Sequence, residues 1–250
     1  MQMLSRCEGT RKVAQIWGVF AQMTGREQTK AGAGLPGHEI VYRALRDQIL
    51  FGELAPGEAV TIQGLTERLD AGMTPVREAI RRLTAEGALE FRGNRRVVVP
   101  ELDAAGLDEL RVARGALEPE LALRAVPRVG PGDLAELTAI DAALDRAIAR
   151  GDVRGYLEQN YRFHARLYAL ADAPILLALV DGLWLRFGPS LRMVCGRFGT
   201  ANLPDRHKQT LAAIRDGDAR AAAAAIAADA TQGMDEIAAA LGSADSIDSP

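Results

Sequence analysis

From Leu102 to Leu241 the apolar residues recur at three- and four-residue intervals, so this stretch can bury itself only by packing helical stripes against one another. Breaks at Pro127 to Gly132, Gly151-Asp152, Asp172 to Pro174, Gly196 to Pro204 and Gly217-Asp218 divide it into about six helices, with no strand. A helix-only domain of roughly 140 residues is large enough to bury a core of its own. The expected fold class is therefore mainly α: an all-α helical bundle placed behind whatever residues 1–100 form.

The stripes are not purely apolar. In the helix from Asp103 to Val126 the inner line reads Leu107, Leu110, Arg114, Leu117 and Leu121, and from Asp152 to Ala171 it reads Val153, Leu157, Asn160, His164, Leu167 and Ala171. His207 shares a face with Leu211 and Ile214, and Asp229 falls on the line Ala222, Ile226, Gly233, Ile237 and Leu241. Burying such groups unpaired would cost several kcal/mol each, so something must satisfy them. One solution is a divalent metal ion of the Zn, Ni or Mn type, held by Asn160, His164, His207 and Asp229 from facing helices. The other is a hydrogen-bonded polar core with no ion. The chain has three histidines, and two of them lie on inner stripes, His38 being in a linker. Arg114 has two readings as well. A permanently charged guanidinium on an inner face can clamp a carboxylate ligand, or it can pair with Glu118 or Asp229.

Residues 36–100 read as three helices and a hairpin. Val41, Leu45 and Ile49 place a stripe on a helix from Ile40 to Leu50, closed at Gly52. Thr61 is suited to cap a short helix to Leu69, and Asp70-Ala71-Gly72 breaks it. Thr74, as N-cap, and Pro75, as first helical residue, would open a helix running to Glu86 and stopping at Gly87. Ala88 to Phe91, the turn Arg92-Gly93-Asn94-Arg95, and Arg96 to Val99 form a two-stranded hairpin with a basic tip. Two short helices, a tight turn and a basic hairpin make a winged helix-turn-helix, whose second helix meets base edges in the major groove. Thr74, Arg77 and Arg81 lie on one face of that helix, and Arg95 and Arg96 sit on the wing.

A formal net charge of −3 would ordinarily argue against nucleic acid as a partner. The sum hides an asymmetry: residues 1–100 hold 14 Lys and Arg against 11 Asp and Glu, and the remainder holds 16 against 22. The basic excess is local to the segment that would face DNA, and local charge is what phosphates feel. Residues 1–35 lack periodicity and end in Ala31-Gly32-Ala33-Gly34, which reads as a disordered arm, and residues 243–250 as a tail. Two cysteines, Cys7 and Cys195, rule out a disulfide framework and any Cys-x-x-Cys metal or redox motif. No apolar run approaches the ~20 residues of a membrane-spanning helix. The best candidate, Ile175 to Leu185, is interrupted by Asp181, so a cytoplasmic protein without a membrane partner is expected.

The run Gly72-Met73-Thr74-Pro75-Val76-Arg77-Glu78-Ala79-Ile80-Arg81-Arg82-Leu83, followed by Glu86-Gly87, resembles the helix-turn-helix signature of GntR-type bacterial repressors. The resemblance implies Arg77 and Arg81 as DNA contacts, Thr74 on phosphate and the Arg92–Arg96 turn in the minor groove. Gln63 takes the position where several members carry a basic residue at the start of the first motif helix, and Met73 stands where Arg or Lys is common. In the second half, Asn160-Tyr161-Arg162-Phe163-His164 resembles the Asp/Asn-x-x-x-His motif of the FCD ligand-binding domain of the FadR-type branch. Arg114-Gly115-Ala116-Leu117-Glu118 is similar to that domain's Arg-x-x-Leu-Glu, and His207 and Asp229 keep the spacing of its last two metal ligands. Asp229 departs from the usual third histidine, and aspartate remains a competent oxygen donor.

The implied division is an arm over 1–35, a winged helix-turn-helix over 36–100 and an FCD-like effector domain over 101–242. The implied function is a homodimeric transcription regulator, acting as a repressor on a pseudo-palindromic double-stranded operator. A small organic acid bridging the metal and Arg114 would control operator affinity, with Tyr161 and Arg192 in the same pocket. The competing reading is a metal-dependent enzyme using Asn160, His164, His207 and Asp229. No general base or nucleophile is identifiable beside those residues, and the enzyme reading leaves the winged helix without a role. A metal-free regulator with a polar effector pocket is the third possibility.

Overall fold

The computed structural model describes residues 36–93, 96–198 and 206–245, which places the expected N-terminal arm, Arg95 and the last five residues outside the described part. Helix α1 (Gly37–Leu50) begins three residues earlier than its apolar spacing indicates and buries Val41, Leu45, Ile49 and Leu50. The cap assignment at Thr61 holds: its hydroxyl accepts from Gly64 N–H at 3.0 Å at the start of α2 (Ile62–Leu69). Helix α3 (Met73–Ala85) differs from the expectation. Its N-cap is Gly72, in extended backbone with no side chain to offer, and Thr74 is already inside the first turn. The shift costs no hydrogen bond, because Pro75 still falls among the first residues whose N–H has no acceptor within the helix.

The wing is also wider than a hairpin. Strands β2 (Glu90–Arg92) and β3 (Arg96–Val98) pair antiparallel with Phe91 opposite Val97, and β1 (Ala59–Val60) adds a third strand in the order β1-β3-β2. Two residues are too short to show alternation, so β1 leaves no period-two signal in the sequence.

Six helices follow, joined early by a short 3-10 turn at Val126–Arg128: α4 (Ala104–Ala125), α5 (Pro131–Arg150), α6 (Val153–Ala169), α7 (Pro174–Phe198), α8 (Arg206–Arg215) and α9 (Ala219–Asp245). Acidic caps start several of them. Asp103 accepts from Gly106 N–H at 2.7 Å and Asp152 from Gly155 N–H at 2.8 Å. Helix α9 continues to Asp245, past the tail boundary expected at 243. Helix α4 packs chiefly on α9, α5 on α6, and α8 on α9. Leu121, Leu137, Phe163, Leu167, Leu211 and Ile226 form the interior.

Helix α7 corrects the expectation about apolar runs. Over Pro174–Cys195 it is long and apolar enough, by length and composition, to cross a membrane, with a mean hydropathy of 1.2. Here it is a core helix, burying Val180, Trp184, Leu185, Phe187, Leu191 and Val194. Asp181, the residue that interrupts the run, faces α1. Its Oδ1 accepts from Arg46 Nη2 at 2.5 Å and from the Tyr161 hydroxyl at 2.7 Å, and Arg46 Nη2 also donates to the Tyr161 oxygen at 3.2 Å. The described residues from Gly37 onward thus form one compact unit in which α1 of the wing module lies against α7.

Gly188 permits that approach, because a Cβ there would stand 2.2 Å from the Leu50 carbonyl oxygen. The obstacle is backbone and cannot rotate away. Gly188→Ala is expected to cost about 1–3 kcal/mol, as other overpacking changes do. Urea unfolding checks this, and a midpoint equal to wild type would contradict the close contact.

Candidate functional site

The exposed face of α3 carries Thr74, Arg77 and Arg81, while Val76, Ala79, Ile80 and Leu83 lie on its buried face. Amphipathic spacing at three and four residues dictates that split. Because Gly72 is the N-cap, the Thr74 hydroxyl does not serve as the cap and is exposed in the first turn. Thr74, Arg77 and Arg81 line one concave surface with Gly37, His38 and Glu78. Gln63 and Arg96 are also exposed, on α2 and β3.

The arginines of this region are not equivalent. Arg81 is held by Glu78 through two bonds of 3.0 and 2.6 Å. Arg82 bonds Glu39 and Glu86 and covers the Tyr42 ring at 3.5 Å, so it braces the module. Arg92 is shared by Glu90 and Glu101. Arg77 and Arg96 are exposed and stand outside all of these ion pairs. Arg77 is therefore the cation of the exposed α3 face that needs to leave no carboxylate to meet a polyanion.

The second site lies inside the helical domain. His164 on α6, His207 on α8 and Asp229 on α9 each present one donor atom, and the three atoms lie within 4.8 Å of one another. His164 Nε2 is 3.0 Å from Asp229 Oδ2 and 3.2 Å from His207 Nε2. His164 is fully buried, His207 nearly so, and the His207 ring stacks on Phe163. Burial favours a protonated Asp229, but the hydrogen bond from His164 and the nearby His164, His207 and Arg114 charges hold it ionised, with a pKa of about 2. Two ring nitrogens at this separation can share only one proton, so a shared proton or a cation must sit among the three atoms. Two imidazole nitrogens and one carboxylate oxygen form a donor set that suits Zn, Ni or Mn, and the residues fit such an ion.

Arg114 pairs with Glu118, one of the two partners expected for it. Its Nε donates to Glu118 Oε1 at 2.5 Å, in a pair that is 1% and 0% exposed. Its Nη1 is buried without a hydrogen-bond partner, and the guanidinium lies 4.1 Å from the Phe187 ring centre and 4.9 Å from that of Trp184. Arg114, Asn160, Trp184, Cys195 and Asp229 line one cavity of about 40 Å³. A water needs about 10–15 Å³ of such space, so the cavity has room for an ion with a few waters.

Tyr161 and Arg192 do not line this cavity. Tyr161 is turned about 100° around α6 from Asn160 and reaches Arg46 and Asp181 instead. Its ring meets Phe51 and Trp184 edge-on. Arg192, one residue after the cavity-lining Leu191, lies against Gly52 of the wing module. Two residues were missed by sequence reasoning. Tyr168 donates to Glu118 Oε2 (2.6 Å) and faces His164 Nδ1 with its oxygen (2.9 Å), and Asp141 stands 3.5 Å from His207 Nδ1. Tyr168 extends the Asn160, His164 series by one more four-residue step, and that spacing was the available signal.

Residues 38–99 match the family described as "Bacterial regulatory proteins, gntR family", and residues 109–231 match the FCD domain. The chain is 33% identical to the HTH-type transcriptional regulator McbR of Escherichia coli K12 over 177 residues, covering 70% of this chain and 80% of that protein. It is 25% identical to the HTH-type transcriptional repressor RspR of the same organism over 156 residues, covering 62% of this chain and 68% of that one. The solved structure of E. coli McbR superimposes with a TM-score of 0.78 at 29% identity, covering 83% of this chain and 99% of that chain. These relatives are transcriptional regulators and not enzymes.

Proposed function

This chain belongs to the gntR family of bacterial regulatory proteins, with an FCD domain behind its helix-turn-helix, and from that premise we propose that it is a ligand-controlled repressor. As a transcriptional regulator of this type it binds operator DNA. We assign the base contacts to α3, with Arg77 as the principal one, Arg81 joining once Glu78 releases it, and Thr74 on phosphate. Arg96 carries the wing contact, and Gln63 lies on the accompanying helix.

A pseudo-palindromic operator calls for two copies of α3 about one DNA turn apart. Exposed apolar side chains support a homodimer: Val112 and Leu123 on α4, and Ile175 and Leu179 on α7, which packs on α4. A regulator of this kind acts in the cytoplasm, where its operator is.

The effector reading rests on one observation: a buried, unpartnered Nη1 of Arg114 beside the converging His164, His207 and Asp229 donors. A divalent ion at those donors and a small carboxylate reaching Arg114 would satisfy both. The ion would supply a Lewis-acidic anchor for one carboxylate oxygen, with Asn160 as a further oxygen donor. Since the cavity is only about 40 Å³, a multi-carbon acid can enter only if its walls move. Trp184 is one of those walls, and its ring contacts Tyr161, which holds Arg46 of α1. Displacing Trp184 would therefore bias the seating of the wing module, and the effector acts through its differential affinity for the two seatings.

Arg77→Ala tests the DNA assignment. On an operator selected by the wild-type protein, affinity is expected to fall by about 1–3 kcal/mol, roughly 5- to 150-fold, in a fluorescence anisotropy titration. Undiminished affinity would remove α3 from the recognition role.

A further inference from the structure

We propose that Glu118 and Tyr168 form a positioning relay that holds a hydrogen on Nδ1 of His164, so that Nε2 is the nitrogen that faces Asp229 and His207 and can exchange its hydrogen for a cation. The inference deepens the metal reading above and rests on it.

The relay follows from counting protons. The Tyr168 hydroxyl has one hydrogen, and it is donated to Glu118 Oε2 at 2.6 Å. Glu118 can only accept, since its carboxylate is the partner of the Arg114 guanidinium. The Tyr168 oxygen is then left as an acceptor facing His164 Nδ1 at 2.9 Å, so Nδ1 must carry a hydrogen. The other ring nitrogen is then the one that can give up a hydrogen to take a cation. That nitrogen is Nε2, the atom 3.0 Å from Asp229 Oδ2 and 3.2 Å from His207 Nε2.

Burial makes the arrangement binding. Arg114, Glu118, Tyr168 and His164 are each no more than 1% exposed, so no water can replace any one link. His207 is oriented in the same sense, with Nε2 toward His164 and Nδ1 toward Asp141, another buried carboxylate. Each ring thus keeps a carboxylate on its Nδ1 side, directly for His207 and through a phenol for His164, while both Nε2 atoms point at the same space. Such outer partners orient ligating imidazoles and raise their basicity.

The same relay links the two halves of the proposed effector site. Glu118 both neutralises Arg114 and, through Tyr168, holds His164. An anion that draws Arg114 away leaves Glu118 a stronger acceptor, which strengthens the grip of Tyr168 on Nδ1–H and favours cation binding at Nε2. Anion and cation are expected to bind with positive coupling.

The test uses full-length protein and Tyr168→Phe, which keeps the ring and removes the hydroxyl. Zinc affinity, measured by competition with a chromophoric chelator, should fall about 10- to 100-fold in the variant. Nitrogen-15 NMR of the metal-free proteins reads directly whether His164 Nδ1 carries a hydrogen. It should do so in wild type, alongside the Nε2 hydrogen shared with Asp229 and His207, and should lose it in Tyr168→Phe, which keeps the Nε2 hydrogen alone. A purely structural tyrosine would leave Nδ1 unchanged. Wild-type His164 found without a hydrogen on Nδ1 overturns the relay, as does a variant with unchanged Nδ1 and zinc affinity within about twofold. If wild type binds no zinc, the metal reading falls, while the NMR measurement still decides the relay.

Discussion

Replacing Arg114 with alanine is expected to destabilise the protein by about 3–5 kcal/mol, the range for a buried ion pair that loses one partner. Arg114 and Glu118 are 1% and 0% exposed, so removing the guanidinium leaves a carboxylate with no solvent and only the Tyr168 hydroxyl as donor. The side chain also fills space against Phe187 and Trp184, and its loss opens a void between α4 and α7. For a chain of this length the melting temperature should drop by roughly 6–20 °C, since each kcal/mol is worth about 2–4 °C. The double change Arg114→Met with Glu118→Gln separates charge from packing. It removes both ions and restores the volume, so it should be much milder than the single substitution. Thermal melts followed by circular dichroism make the comparison. A single variant within about 1 kcal/mol of wild type would mean that the pair is not isolated from water.

Much of this architecture is written in local sequence. Thr61, Asp103 and Asp152 cap helices because a short oxygen-bearing side chain before an apolar-periodic run satisfies orphan N–H groups wherever the run ends up. The inner polar positions were legible for the same reason: Arg114, Asn160, His164, His207 and Asp229 interrupt stripes that must be buried. What the stripes could not convey is direction within a face. Tyr161 was assigned to the effector pocket from adjacency to Asn160, yet neighbours on a helix diverge by about 100°, and its hydroxyl serves Arg46 across the module boundary. The cap at Gly72 escaped because Thr74-Pro75 satisfies the same rule two residues later, and local chemistry cannot choose between them. Tertiary pairs such as Asp141 with His207 join residues 66 positions apart on different helices, and no periodicity reports them.

Charge is the other property that location decides. The chain's formal charge of −3 says nothing about the DNA face, but neither does the local basic excess taken alone. Arg81, Arg82 and Arg92 are each engaged by carboxylates. The free positive charge on the described DNA face therefore rests on few side chains, and sequence-independent binding should be weak and steeply salt-dependent. Specific affinity must come from α3 and from two copies acting together.

The combined substitution His164→Ala and His207→Ala is expected to abolish stoichiometric metal in protein purified without chelators, as read by elemental analysis. Both nitrogen donors disappear, and Asp229 with Asn160 offers only oxygen, a set that holds Zn or Ni poorly at one site. The same variant should keep its affinity for operator in the absence of effector, because neither histidine lies on α3 or the wing and Arg46, Tyr161 and Asp181 are untouched. What it should lose is the response: an added carboxylate would find Arg114 but no cation, and operator release should require far higher concentrations. The two readouts separate two failures. Wild-type protein that carries no metal would leave the histidines as a hydrogen-bonded polar core around a shared proton. Wild-type metal that survives the double substitution would place the ion elsewhere and strip His164, His207 and Asp229 of the role assigned to them.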